Sequence, residues 1–256
     1  VDVDTGSYTV MRSHINDGFL PDDDSVRVEE YINFFEQDYA PPEEGAFAIY
    51  LEGAPSPYAE NYHLVRVGLK GYEIAPEERD DVVLTFVVDV SGSMDRQDRL
   101  GLVQESLQTL VDELRPTDKV GLVIYGSNAQ VVLEPTPLED RRQIRRAIRS
   151  LRAGGSTYAE AGLMAAYKMA QQYYDPNATN RVILCSDGVA NVGRTGPDSI
   201  MEQIEKYADE GIYLTTIGRG LDFNDALLAD LAYQGQGDYA FVDAAAEMDR
   251  IFREQV

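Results

Sequence analysis

The fold is decided by residues 82–93, which read Val-Val-Leu-Thr-Phe-Val-Val-Asp-Val-Ser-Gly-Ser. The stretch before the aspartate is apolar on both faces of an extended chain, as in a central parallel strand that helices cover on each side. Asp89, Ser91 and Ser93 then follow at alternate positions, and Gly92 permits the backbone to curl tightly. We therefore predict a buried strand that ends in a loop carrying three oxygen side chains.

Three further apolar runs have the same character, and amphipathic helices are predicted between the runs. The runs cover residues 120–125, 181–185 and 212–217. Apolar residues from Leu100 to Leu114 recur at helical spacing, and Pro116 ends that helix. Further helices are predicted at residues 144–151, 163–174, 200–208 and 227–232, with a last helix through Phe252.

Two shorter segments complete the predicted sheet. Residues 129–133 follow the second strand too closely for a helical crossover, so we expect them to pair antiparallel at the sheet edge. Residues 239–242 supply the last strand. The alternation of strands and helices predicts an α/β fold with a doubly wound, mostly parallel sheet and helices on both faces.

The first 80 residues differ from the rest, and we predict a domain boundary there, with an N-terminal α+β segment at 1–80 and the main domain at 81–256. A short helix is expected at residues 28–35. Residues 47–51 and 64–69 alternate in polarity as half-buried strands do. We expect them to form an antiparallel pair within residues 46–75 that packs against the main domain.

The composition excludes several classes of function. The 256 residues carry 22 basic and 45 acidic side chains, a formal net charge of -23, which repels nucleic acid. No apolar stretch approaches the roughly 20 residues of a membrane-spanning helix, so we expect no transmembrane segment. A single cysteine, Cys185, excludes an intramolecular disulfide, and its place on a buried strand predicts an unreactive core thiol.

Other polar residues are expected to have structural roles. Six arginines flank the apolar stripe of the second helix, where they predict a solvated face, with a docking patch for acidic segments as the alternative. They are Arg141, Arg142, Arg145, Arg146, Arg149 and Arg152. His14 and His63 lie outside the main domain, and we expect both to be structural or surface residues.

Two more loops carry oxygen side chains at places that correspond to the Asp89 loop. Residues 154–157 read Gly-Gly-Ser-Thr at the start of the third helix, and residues 186–188 read Ser-Asp-Gly after a predicted strand. In a doubly wound sheet these loops emerge at the carboxyl ends of strands, where ligands bind. Such oxygens are hard ligands that suit magnesium, manganese or calcium far better than zinc or copper. Taken alone, the spacing around Asp89 is also explained by a turn or a helix cap.

Taken together, five residues resemble the metal-ion-dependent adhesion site (MIDAS) of von Willebrand factor type A (VWA) domains. They are Asp89, Ser91, Ser93, Thr157 and Asp187. The resemblance covers residues 81–256 and implies a six-stranded sheet of order 3-2-1-4-5-6 with an antiparallel third strand. It also implies that the two serines bind the metal directly, Thr157 directly or through water, and the two aspartates largely through water.

Residues 5–80 are similar to the segment that precedes the VWA domain in a bacterial family of predicted surface lipoproteins. The similarity is carried by residues 6–21, which begin with Gly-Ser-Tyr and end with Leu-Pro, by residues 26–35 and by Tyr39. It implies an extracytoplasmic, lipid-anchored binding protein, periplasmic or on the bacterial surface, with its signal removed.

The chemistry of such a site predicts a metal-dependent protein-binding module of the adhesion type, not an enzyme. Where hydroxyls bind directly and carboxylates act through water, the cation is only partly neutralised and keeps a replaceable water. It then attracts an aspartate or glutamate of a partner protein. We expect Gly155, Asn191 and Arg194 to contact that partner, although Asn191 and Arg194 could equally shape the turn.

Two alternatives remain open from the residues alone. A magnesium-dependent phosphohydrolase also uses acidic residues, a hard cation and a glycine-rich loop, but no G-x-x-x-x-G-K-[ST] or G-x-S-x-G motif is present. A structural module would use the metal only to hold three loops together. We take Mg²⁺ as the expected ion, with Mn²⁺ or Ca²⁺ as alternatives.

Overall fold

The computed structural model describes residues 5–75, 78–187, 197–218 and 225–242. The chain divides into two compact units, one of Val1–Phe34 with Asp80–Val256 and the other of Phe35–Arg79. Within the described part of the chain, no helix is both long enough and apolar enough to cross a membrane. The domain boundary predicted at residue 80 stays a prediction.

The larger unit is built on a six-stranded sheet, which we call the main sheet. Its strands are β3 (Asp81–Asp89), β4 (Lys119–Tyr125), β5 (Ala129–Pro137), β6 (Ala178–Ser186), β7 (Ile212–Gly218) and β8 (Tyr239–Phe241). Their order is β5-β4-β3-β6-β7-β8, and only the β4–β5 pair is antiparallel. Numbered within this sheet the order is 3-2-1-4-5-6, so the predicted fold class is confirmed.

Five helices connect these strands in the described residues. They are α3 (Arg99–Glu113), α4 (Arg141–Ser150), α5 (Ala159–Gln172), α6 (Pro197–Asp209) and α7 (Asp225–Gln234). A 3₁₀ helix, Gly92–Asp98, precedes α3. The helix predicted through Phe252 lies outside the described residues.

The central strand β3 is buried on both faces because successive side chains of a strand point to opposite sides. Phe86 and Val88 pack with the apolar residues of α3 and α4, whereas Val87 packs with those of α5, α6 and α7. All three side chains are at most 1% exposed. The apolar run of residues 82–88 therefore lies at the centre of two cores, one on each face of the sheet.

The N-terminal residues form two helices, α1 (Gly6–Asn16) and α2 (Val28–Asn33), of which the sequence predicted only the second. The helix α1 contacts β8, and Val10 belongs to the core that also contains Val87. A Cβ atom on Gly6 would lie 2.6 Å from the ring of Tyr239, so the absence of a side chain permits this close approach. The helix α1 is thus part of the same compact unit as the main sheet.

The smaller unit contains an antiparallel pair, β1 (Phe47–Pro55) and β2 (His63–Gly71). The pair confirms the two predicted strands, although both are longer than predicted. Asn61, which lies between the two strands, has a positive φ of 65°, as residues in tight turns often do. The predicted packing of this hairpin against the main domain stays a prediction.

Candidate metal centre

The loop after β3 is curled by its own aspartate. The backbone N–H of Ser91 donates a 2.7 Å hydrogen bond to Oδ1 of Asp89. The hydroxyl oxygens of Ser91 and Ser93 lie 3.0 Å apart, and Asp89 and Ser91 are almost fully buried. Val90 donates its N–H to the carbonyl of Tyr125 at the end of β4, which anchors the loop to the sheet.

The spacing of the two hydroxyls fits one hard ion. Two oxygens at neighbouring corners of an octahedron with metal–oxygen distances of about 2.1 Å are about 3.0 Å apart. The Ser91–Ser93 oxygen separation of 3.0 Å equals that edge. The two hydroxyls are hydrogen-bonded to each other, and their separation is also compatible with two ligands of one magnesium-sized ion.

Two side chains at the end of β6 approach this loop. The hydroxyl of Ser186 donates to Oδ2 of Asp89 at 3.4 Å, a contact that the sequence analysis did not predict. The next residue, Asp187, is fully buried, and its charge acts on Asp89. Sequence-distant residues from the ends of β3 and β6 thus converge, as the predicted topology requires.

Asp187 makes a buried ion pair that the sequence analysis missed. Nη1 of Arg99, at the start of α3, donates to Oδ2 of Asp187 at 2.9 Å. The arginine side chain is only 7% exposed. The other carboxylate oxygen, Oδ1, is buried and accepts no hydrogen bond from any described residue. One oxygen of Asp187 is therefore fixed and the other is left available.

The loop before α5 is tied to the Asp89 loop through its backbone. Gly154 donates its N–H to the carbonyl of Val90 at 2.7 Å, and Gly92 donates to the carbonyl of Gly155 at 3.0 Å. Gly155 has φ +90°, and a Cβ atom there would lie 2.6 Å from Oγ of Ser127, so glycine is required. These bonds hold the segment that carries Thr157, which is half-buried, beside the Asp89 loop.

Burial dominates the electrostatics of the centre. Burial raises the pKa of Asp89, the hydrogen bond from Ser91 lowers it, and the charge of Asp187 raises it again. Burial, followed by the charge of Asp89, also raises the pKa of Tyr125 well above its ordinary value. A cation bound beside Asp89 would offset the cost of burying the charge of its carboxylate.

The other sequence candidates contribute little to this centre. Among the described residues, no group of three or more His, Cys, Asp or Glu side chains could hold a metal ion. The donor set is therefore rich in hydroxyls, with two carboxylates. His14 is half-buried, His63 is exposed, and Cys185 is a buried free thiol. Asn191 and Arg194 lie outside the described residues.

The arginines of α4 form a helix face. Arg142, Arg146 and Arg149 are exposed, whereas Arg145 pairs with Asp112 of α3 and Arg141 donates to the carbonyl of Leu114. The apolar residues between them, Ile144 and Ile148, are buried. This is the arrangement expected of an amphipathic helix on the surface.

Family models match two parts of the chain. Residues 84–189 match the model described as "von Willebrand factor type A domain", and residues 1–66 match the model described as "von Willebrand factor". The first match contains every residue of the candidate centre. It supports a VWA domain in this chain, as the resemblance of the five residues implied.

One relative is similar over the whole length of this chain. The "Uncharacterized protein YfbK" of Escherichia coli (strain K12) is 36% identical over 265 residues, which cover 100% of this chain and 46% of that protein. The chain therefore spans less than half the length of this relative.

Two solved structures share the fold. The von Willebrand factor type A protein from Catenulispora acidiphila has a TM-score of 0.60 at 19% identity, over 86% of this chain and 50% of that one. Proximal thread matrix protein 1 from the mussel byssus, with a zinc-occupied MIDAS motif, has a TM-score of 0.55 at 19% identity, over 69% and 47% of the two chains. At these identities the likeness concerns the fold alone.

Proposed function

We propose that this chain is a protein-binding module in which a divalent cation mediates the contact with the partner. The cation would be held by Asp89, Ser91, Ser93, Thr157 and Asp187. The partner would present an aspartate or glutamate carboxylate. The observation that carries the proposal is the pair of serine hydroxyls, 3.0 Å apart, beside two buried carboxylates at the carboxyl edge of the sheet.

Each residue of the proposed site has a distinct role. The serine hydroxyls supply neutral oxygens, and Asp89 holds its loop in shape by accepting the N–H of Ser91. Asp187 has one oxygen without a hydrogen bond from any described residue, and that oxygen would serve the ion or its bound water. The bound cation would supply a positively charged coordination position for the partner's carboxylate.

The expected ion is Mg²⁺, with Mn²⁺ or Ca²⁺ as alternatives. Hydroxyl and carboxylate oxygens are hard donors, which all three of these ions prefer. Because the mussel protein is described with zinc in its MIDAS motif, Zn²⁺ belongs in the same titration.

Binding is favoured over catalysis because the described centre contains no histidine that could act as a general base.

We extend the proposal to an extracytoplasmic location as a surface lipoprotein. The support is the similarity of residues 5–80 to the segment that precedes the VWA domain in that bacterial family. Gly155 would lie at the partner-facing edge, since it is exposed in the loop that carries Thr157.

Calorimetric titration of the chelator-treated protein with Mg²⁺, Mn²⁺, Ca²⁺ and Zn²⁺ tests the proposal. We expect binding of at least one ion, weakened at least about tenfold by Ser93→Ala, because one direct oxygen ligand is lost. Thr136→Ala removes a hydroxyl from β5 and serves as the matched control with unchanged affinity. Equal affinity in the wild type, Ser93→Ala and Asp89→Asn would contradict the assignment of the site.

The partner contact is tested with a short aspartate-containing peptide and its asparagine counterpart. We expect the first to bind only in the presence of the ion, and EDTA to abolish that binding. Equal binding of both peptides, or binding that survives EDTA, would show that a carboxylate does not complete the metal's coordination.

A further inference from the structure

The buried ion pair between Arg99 and Asp187 places a fixed positive charge at the candidate metal centre. Nη1 of Arg99 lies 2.9 Å from Oδ2 of Asp187, and the two side chains are 7% and 0% exposed. No other acidic side chain of the described residues is recorded within salt-bridge distance of this guanidinium. The arginine is therefore a permanent electrostatic component of the centre.

This pair is more than a link between two elements. Burying two charges costs hydration energy that their attraction offsets only when further hydrogen bonds satisfy the remaining atoms. Here Oδ1 of Asp187 and Nε of Arg99 are both buried without a hydrogen bond from the described residues. Among the described residues, Oδ1 of Asp187 is the one buried carboxylate oxygen without a hydrogen bond, and it lies on a residue assigned to the metal.

The charge balance shows what the arginine changes. Asp89 and Asp187 contribute two negative charges, so a bound divalent ion alone would make the centre neutral. Counted over these three side chains alone, with both aspartates ionised, the charge is minus one without the metal and plus one with a bound divalent ion. A metal-free centre with one negative charge instead of two binds a divalent ion less tightly, and a loaded centre with one positive charge binds an anion more tightly than a neutral one.

We propose that Arg99 sets the affinities of the centre: it weakens binding of the divalent ion and strengthens binding of the partner's carboxylate to the loaded site. The proposal rests on the proposed function. It makes Arg99 a specificity-determining residue that acts through charge and through the orientation of Asp187. The same substitution is then expected to change the two affinities in opposite directions.

The test uses the whole chain and three variants. Arg99→Gln removes the charge, and Arg99→Lys keeps it. The matched control is Arg181→Gln, which removes a partly buried arginine paired with Asp238 at 3.2 Å, at the opposite end of β6. Mn²⁺ affinity is measured by calorimetry. Acetate binding to the Mn²⁺-loaded protein is measured by the loss of metal-bound water in proton relaxation.

In a medium as polar as water, the interaction of a unit charge with a divalent ion several ångströms away is worth about a tenfold change in affinity. We therefore expect Arg99→Gln to bind Mn²⁺ at least about tenfold more tightly and acetate at least about threefold more weakly. Its metal-free form should melt at a lower temperature, because Asp187 is left buried without a counter-charge. Arg99→Lys should keep its Mn²⁺ affinity within about threefold, and Arg181→Gln should not change it.

The outcomes separate this inference from the proposed function. Unchanged or weaker Mn²⁺ binding by Arg99→Gln overturns the role of Arg99 and leaves the metal site standing. Binding by Arg99→Gln but not by the wild type supports the inference most strongly. If neither protein binds Mn²⁺, both the inference and the proposed function fail. If Arg99→Gln does not fold, a change of more than about tenfold in Arg99→Lys overturns the inference, since lysine retains the charge.

Discussion

The strand β3 and the hairpin of β1 and β2 are both rich in apolar residues, yet only β3 is buried. Val87 and Val88 of β3 are fully buried, whereas Leu51 is 69% and Val65 70% exposed in the hairpin. The two sheets differ in the cover that their own units supply, since the described residues of Phe35–Arg79 include no helix. Helices cover both faces of the main sheet, and a two-stranded sheet is at best marginally stable without such cover. Apolar composition alone therefore does not fix burial.

The hairpin has its own small set of contacts in place of a core. The ring of Tyr39 stacks on Tyr50 with centroids 4.7 Å apart, and Arg66 lies over the Tyr39 ring. A Cβ atom on Gly68 would lie 2.2 Å from that ring, so the glycine permits the ring to lie against the strand. Tyr39 and Tyr50 are only partly buried, unlike the side chains at the centre of the main sheet.

The largest expected effect contrasts the same residue type in the two regions. Phe86 is 1% exposed and Phe47 is 59% exposed. Phe86→Ala should lower the free energy of unfolding by about 3–5 kcal/mol, because it removes a buried ring and leaves a cavity. Phe47→Ala should change it by less than about 0.5 kcal/mol. Urea unfolding followed by circular dichroism measures both, and equal losses would contradict the contrast drawn above.

Metal binding should stabilise the Asp89 loop and leave the hairpin unaffected. Any ion that binds only the folded protein stabilises it by about 2.7 kcal/mol at 100 times its dissociation constant. We expect Mg²⁺ at 100 times the wild-type dissociation constant to raise the melting temperature of the wild type, and to raise that of Ser93→Ala by less, because a tenfold weaker site gives only about 1.4 kcal/mol of stabilisation. In amide hydrogen exchange, residues 89–93 should gain protection and the hairpin amides should not. Equal protection of both regions would show that the ion does not act through the Asp89 loop.

Replacing a closely packed glycine with a larger residue should destabilise the main unit more than the hairpin. A Cβ on Gly162 would lie 2.7–2.8 Å from three atoms of the buried Tyr125, including its Cβ, which cannot move independently of β4. Gly162→Val should therefore cost about 1–3 kcal/mol. Gly68→Val should cost less than about 1 kcal/mol, because only the movable Tyr39 ring is displaced. The unfolding midpoints in urea measure the difference, and a larger loss for Gly68→Val would reverse the comparison.

The sequence predicted the elements whose signals are local. Strand β3 was recognised from its apolar run and its three oxygen side chains, and the sheet order from the resemblance to VWA domains. Strand β5 is longer than predicted, Ala129–Pro137 instead of 129–133, and includes Pro135 and Pro137. Proline argues against a strand, yet an edge strand tolerates it because one side lacks a pairing partner.

Two features of the molecule left no readable signal in the sequence. The buried residues of α1 are Gly6, Ser7, Thr9 and Val10, so its inner face is small and largely polar and has no apolar stripe. The Arg99–Asp187 pair joins residues 88 positions apart. An arginine at the start of an amphipathic helix is ordinary in isolation. Its role becomes visible only when the fold brings the end of β6 beside α3.

The smallest expected effect concerns the exposed cross-strand ion pair of the hairpin. Glu52 and Arg66 are register partners on β1 and β2, with Nη2 2.9 Å from Oε2 and side chains 67% and 46% exposed. Such pairs contribute at most about 0.5–1 kcal/mol, and salt weakens them. Glu52→Gln should accelerate amide exchange in the hairpin no more than about fivefold at low salt and should have no effect in 1 M NaCl. Acceleration that persists in 1 M NaCl would mean that Glu52 stabilises the hairpin by packing and not by charge. In that event side-chain packing would stabilise the hairpin as well as β3, and the two regions would differ only in how much packing each has.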